Sequence, residues 1–109
     1  MVRAMPQPPA LTDEQRRAAL AKAAEVRRVR AEVKDALKAG RVTLAAVLAS
    51  AESDELVAGI KVLAIIESLP GVGKVTARQV MEQIGIAESR RIRGLGEHQR
   101  RALLDRFPA

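Results

Sequence analysis

The apolar positions of this chain recur at helical spacing, and no stretch alternates with the two-residue period of a strand. Between Thr12 and Gly40, Val26, Val29, Val33, Ala36 and Leu37 follow the i, i+3, i+7 rhythm of one buried seam. Upstream of Val26 the helix offers mostly alanine, so that half is expected to project from the body of the domain. Thr12-Asp13-Glu14-Gln15 has the pattern of a capping box, and Asp13 and Glu14 suit the positive end of a helix dipole. No proline or glycine interrupts the chain until Gly40, a good C-cap. The spacing therefore predicts a helix over 13–39, about 40 Å long at roughly 1.5 Å per residue.

Shorter helices follow. Thr43 can cap one that runs to Ser50, and Ser53 with Asp54 and Glu55 starts another that Gly59 loosens. Val62, Leu63, Ile65 and Ile66 are the core positions of a helix over 61–68. A further helix over 74–84 turns Val80, Met81 and Ile84 inward. The last, from Glu97 to Phe107, contributes Leu103, Leu104 and Phe107. There is no internal repeat. The expected fold is all-α: a single domain over 11–109 in which a long N-terminal helix packs on a small helical body, preceded by a disordered arm over 1–10 that holds Pro6, Pro8 and Pro9.

Composition narrows the partners. The chain has 109 residues and a net charge of +6, which favours a polyanion. Phe107 is the only aromatic residue, so no platform for stacking unpaired bases can be built, whereas the backbone of a duplex needs none. Without cysteine there is no disulfide and no thiolate metal site, and His98 alone makes no zinc site; neither metal nor cofactor is expected. No apolar run is long enough to cross a membrane, and Met1 to Met5 has no signal-peptide character, which makes the cytoplasm the expected location.

The basic residues are not scattered evenly. Arg27, Arg30, Lys34, Lys38 and Arg41 form a stripe at helical spacing. Pairs within the helix (Asp13–Arg17, Glu25–Arg28, Asp35–Lys38) offer a solvated-face reading of these charges beside a phosphate-contact one. Residues 42–60 hold Glu52, Asp54 and Glu55 and no basic residue, so this segment is expected to face away from a polyanion.

Residues 69–78 read Leu69-Pro70-Gly71-Val72-Gly73-Lys74-Val75-Thr76-Ala77-Arg78. A nucleotide-binding P-loop is excluded, because Ser68 stands where its first glycine belongs and Val75 where Ser or Thr must follow the lysine. The run fits a turn between two helices instead. Gly71 and Gly73 let a phosphate approach the main chain, and the amides from Gly71 to Lys74 point outward at the positive end of the next helix. Lys74 adds a full charge; Thr76 and Arg78 are further candidates. Val72 plugs inward, and Ala77 is small enough for close helix packing. The bland reading is a helical corner with glycines for geometry alone. Beyond it, Arg90, Arg91 and Arg93 cluster in a second glycine-bounded turn ending at Gly94-Leu95-Gly96.

The run from Leu69 to Ala77 resembles the helix–hairpin–helix family of DNA repair and recombination proteins. With the segment from Gly85 to Gly96 and the closing helix, 61–107 resembles the helix–two-turn–helix of bacterial small-subunit ribosomal proteins and some DNA glycosylases. Over almost the whole chain, from Leu11 and Thr12 through Val33 and Lys34, Leu69 to Gln79, Ile84-Gly85-Ile86 and Arg90 to Gly96, the sequence resembles the actinobacterial integration host factors. That resemblance implies a nucleoid-associated architectural protein that holds double-stranded DNA with little sequence preference, shapes it, and supports site-specific phage integration. It maps DNA contacts onto Pro70, Gly71, Val72, Gly73, Lys74, Arg90, Arg91 and Arg93, with Arg27, Arg30, Lys34, Thr76 and Arg78 as secondary candidates. The partners it implies are duplex DNA and a phage integrase–DNA complex, bound by a monomer in the nucleoid. A ribosome- or structured-RNA-binding protein is the alternative. An enzyme is not expected, since no paired acid, metal set or activated nucleophile is present and Glu97 and His98 diverge on their helix.

Overall fold

The computed structural model describes residues 11–108, and the proline-containing arm expected over 1–10 lies outside them. Six α-helices and one 3₁₀ turn follow in order: α1 Asp13–Lys38, α2 Leu44–Ser50, α3 Glu55–Ala58, α4 Val62–Glu67, α5 Lys74–Ile84, the turn Ile92–Gly94, and α6 Glu97–Arg106. The all-α expectation holds. Strand pairing among the described residues is limited to one antiparallel bridge, Lys61 with Arg91.

Local chemistry explains the helix starts. Thr12 Oγ1 accepts from the Gln15 N–H while Gln15 Oε1 accepts from the Thr12 N–H, both at 3.0 Å, so the capping box forms as its residues predict. Thr43 Oγ1 accepts from the Ala46 N–H at 3.1 Å. At α3 the cap is Asp54, one residue later than Ser53: its carboxylate accepts from the N–H groups of Leu56 and Val57 at 3.0 and 3.3 Å. α3 then stops after a single turn.

One core lies where α1, α3, α4 and α5 meet. Leu37, Leu48, Ile65, Ile66, Met81 and Leu103 are almost fully enclosed, and Ala77 is buried against them, small enough for α4 and α5 to approach closely. The expected seam on α1 is only partly buried. Leu37 is enclosed, Val29, Val33 and Ala36 are half-buried, and Val26 stays 38% exposed. Every residue from Leu11 to Lys22 is exposed, so the first half of α1 projects as expected. The radius of gyration is 17.9 Å, against about 13 Å for a compact domain of 100 residues, and the projection accounts for the excess.

The expected ion pairs within α1 do not form. Arg28 pairs with Glu32 at 2.9 Å rather than with Glu25, and Lys38 has no carboxylate within 4 Å among the described residues. Arg17 reaches the Asp13 carbonyl, not its carboxylate.

Candidate nucleic-acid interface

The first turn connects α4 to α5. The last turn of α4 closes on Ser68, whose hydroxyl donates to the Ala64 carbonyl at 2.8 Å. The Val72 N–H then donates to the Leu69 carbonyl at 3.1 Å, with Gly71 at φ 77° between them. Proline second and glycine third is the signature of a type II turn, and only glycine takes that positive φ without strain. Val72 is half-buried against the core, as expected. Its N–H, by contrast, closes the turn and is not offered outward.

The free donors lie on either side. The N–H groups of Gly71, Gly73, Lys74, Val75 and Thr76 find no acceptor among the described residues; the first bond of α5 runs from the Ala77 N–H to the Gly73 carbonyl at 2.9 Å. No side chain among the described residues caps this helix. Unmet donors, the positive end of an 11-residue helix and the exposed Lys74 lie together on solvent-facing backbone, an arrangement suited to an anion. Thr76 is exposed beside it. Arg78 differs: its Nε lies 2.8 Å from Glu88, which ties α5 to the following loop and partly neutralises the charge.

The second turn is fastened to the opposite end of α4. The Val62 N–H donates to the Arg90 carbonyl at 2.9 Å, and the Ile92 N–H donates to the Ile60 carbonyl at 3.0 Å. Ile92 is buried in the core, which leaves its neighbours Arg91 and Arg93 exposed. Arg91 donates to the Gly59 carbonyl. Arg90, grouped with them by sequence, is the least exposed of the three. It is half-buried, and its guanidinium donates to the Gly94 carbonyl at 2.6 Å, closing the turn from within. A Cβ on Gly94 would stand 2.9 Å from Arg90 Cδ, so glycine is what lets the arginine lie flat there. Gln99 supports the same turn: its amide donates to the Gly85 carbonyl and accepts from the Gly96 N–H, each at 3.0 Å.

At about 100° per residue, Arg30, Lys34 and Arg27 fall on one edge of α1, and Glu25, Glu32 and Asp35 on the opposite edge. Arg27, Arg30 and Lys34 form no ion pair among the described residues. A groove of about 610 Å³ separates α1 from the second turn; Arg30 lines it together with Arg91, Arg93, Lys22 and Lys61. Lys22 and Lys61 were not among the expected site residues. Lys22 was legible, since it continues the register of Val26, Val29 and Val33 and places a lysine where the seam leaves the body. Lys61 was not, because only the bridge to Arg91 brings it there. One expectation is corrected. The acidic segment over 42–60 does not turn wholly away from this basic surface, because Glu55, Leu56 and Gly59 line the same groove; α3 is too short to carry its residues off to another face.

Two turns, each opening onto a helix and both anchored to α4, define a class: a model of the S13-like H2TH domain matches residues 37–107. Relatives matching almost the full length narrow this further. Integration host factor of Mycobacterium tuberculosis is 58% identical over 99 residues, 91% of this chain and 94% of that protein. The Streptomyces coelicolor protein of the same name is 55% identical over 91 residues, 84% and 85% of the two chains. A solved structure described as sIHF bound to an 8bp palindromic DNA superposes with a TM-score of 0.76 at 50% identity, covering 79% of this chain and 97% of that one. The chain belongs to the actinobacterial integration host factor family.

Proposed function

We propose that the protein is a nucleoid-associated architectural factor that grips double-stranded DNA by its phosphates, with little sequence preference, and supports site-specific recombination. The observation that carries this is the set of backbone donors at Gly71, Gly73, Lys74, Val75 and Thr76 that find no acceptor among the described residues, set beside a lysine with no ion-pair partner among them. The hairpin holds one phosphate, and Arg91 and Arg93 hold others beyond the far end of α4. That helix has six residues, so the two grips stand on the order of 10 Å apart, the span of a few base pairs at ~3.4 Å each. None of these contacts addresses a base edge, and any preference among sequences comes from the shape of the duplex. The family and the DNA-bound relative support duplex DNA as the partner; the nucleoid as location and an integrase–DNA complex as partner during phage integration are part of the proposal. The role is binding, without turnover of the DNA.

The test is competition for a labelled DNA duplex across a salt series. Unlabelled duplex DNA is expected to compete better than single-stranded DNA or duplex RNA, and affinity is expected to fall steeply with salt. Better competition by duplex RNA overturns the assignment.

A further inference from the structure

The groove between α1 and the second turn concentrates positive charge beyond what its own carboxylates offset. Lys22 and Arg30 reach it from α1, Lys61 from the start of α4, and Arg91 and Arg93 from the 3₁₀ turn. One acid, Glu55, shares the lining, and among the described residues it lies within 4 Å of none of the five cations. Clefts lined by one sign of charge focus field and draw counter-ions. The lining also includes apolar side chains, Val26, Leu56, Ile60 and Ala64, an apolar strip in which Val26 is left 38% exposed although it belongs to the seam. A volume of about 610 Å³ lies within the ~300–1,000 Å³ of small-ligand sites.

We propose that this groove binds a small ligand carrying several phosphates, of the nucleoside triphosphate class. The cations take the phosphates and the apolar strip takes the nucleoside. Because Arg91 and Arg93 belong to both surfaces, the bound ligand competes with DNA; that consequence rests on the function proposed above, whereas the ligand site does not. The test is calorimetric titration of the full chain, free of DNA and at physiological salt, with ATP and separately with inorganic tripolyphosphate. Saturable binding of one ATP per chain is expected, with tripolyphosphate weaker because it leaves the strip uncovered. The double variant Lys22→Glu, Lys61→Glu, checked for native helicity, is expected to weaken ATP binding at least tenfold, while Lys74→Ala leaves it unchanged. Absence of saturable ATP binding up to millimolar concentration overturns the site. So does binding that survives in the double variant or is lost in Lys74→Ala. Equal affinity for the two probes overturns the nucleoside part. ATP that binds in the groove without displacing a DNA duplex counts against Arg91 and Arg93 as DNA contacts and leaves the ligand site standing.

Discussion

In the proposed interface Lys74 and Gly71 serve a bound phosphate by different means, and substitution separates them. Lys74 brings a charge that releases a cation condensed on the DNA; Gly71 brings only a backbone conformation. Lys74→Ala is expected to weaken duplex binding about tenfold, ~1.4 kcal/mol, and to make the log–log salt slope shallower by about 0.9. Gly71→Ala meets no steric obstacle, yet it must hold a φ of +77°, at a cost on the order of 1 kcal/mol. It is expected to weaken binding while leaving the salt slope unchanged. Filter binding at several salt concentrations checks both. Arg90 belongs with Gly71 rather than with Lys74. It is the least exposed of the three turn arginines and donates to the Gly94 carbonyl within its own turn, so we expect it to position the turn that presents Arg91 and Arg93. Arg90→Ala and Gly94→Ala are each expected to weaken binding without changing the salt slope. Their effects are expected to fall short of additive in the double variant, because both act on one contact. Equal slope changes for Arg90→Ala and Arg93→Ala would instead place Arg90 on a phosphate.

At the scale of elements, the helices were legible and the direction of their side chains was less so. Thr12 with Gln15, and Gly71 with Gly73, are local patterns whose chemistry acts within a few residues, and the structure builds them as the sequence implies. Arg90 could not be separated from Arg91 and Arg93 because the difference depends on where Ile92 is buried and on the Ile60–Ile92 and Arg90–Val62 backbone bonds across some 30 residues of chain. The charge on α1 was half legible: its stripe follows from spacing, whereas its apposition to the second turn follows from tertiary packing alone. α1 itself divides in two, and its stability effects should divide with it. Leu37, fully enclosed, is expected to cost about 3 kcal/mol when changed to alanine. Leu20, 63% exposed on the projecting half, is expected to change stability by less than about 0.5 kcal/mol. Thermal unfolding followed by circular dichroism measures both, and a large loss at Leu20 would mean that the projecting half is covered in solution.

At the scale of the whole molecule, the question is whether α1 and the two turns serve one duplex. The molecule measures 62 × 31 × 25 Å, and the basic edge of α1 runs along its length beside the groove that Arg91 and Arg93 share. If Arg27, Arg30 and Lys34 contact the same duplex as Lys74, Arg91 and Arg93, each neutralises a phosphate. The log–log salt slope should then approach about −5, at roughly −0.9 per phosphate. If the edge of α1 stays clear of the DNA, only the turn cations count, and the slope should lie near −3. The triple variant Arg27→Glu, Arg30→Glu, Lys34→Glu decides between them. We expect it to bring the slope from about −5 to about −3 while the contacts at the hairpin, read as the sensitivity to Lys74→Ala, stay as they were. An unchanged slope would confine binding to the two turns. In that case any bridging of two DNA segments would require a second copy of the chain, because the two turns of one copy would serve a single duplex. A slope that falls only at duplex concentrations high enough for two segments to bind would place the edge of α1 on a second duplex, and a single chain would then suffice to bridge.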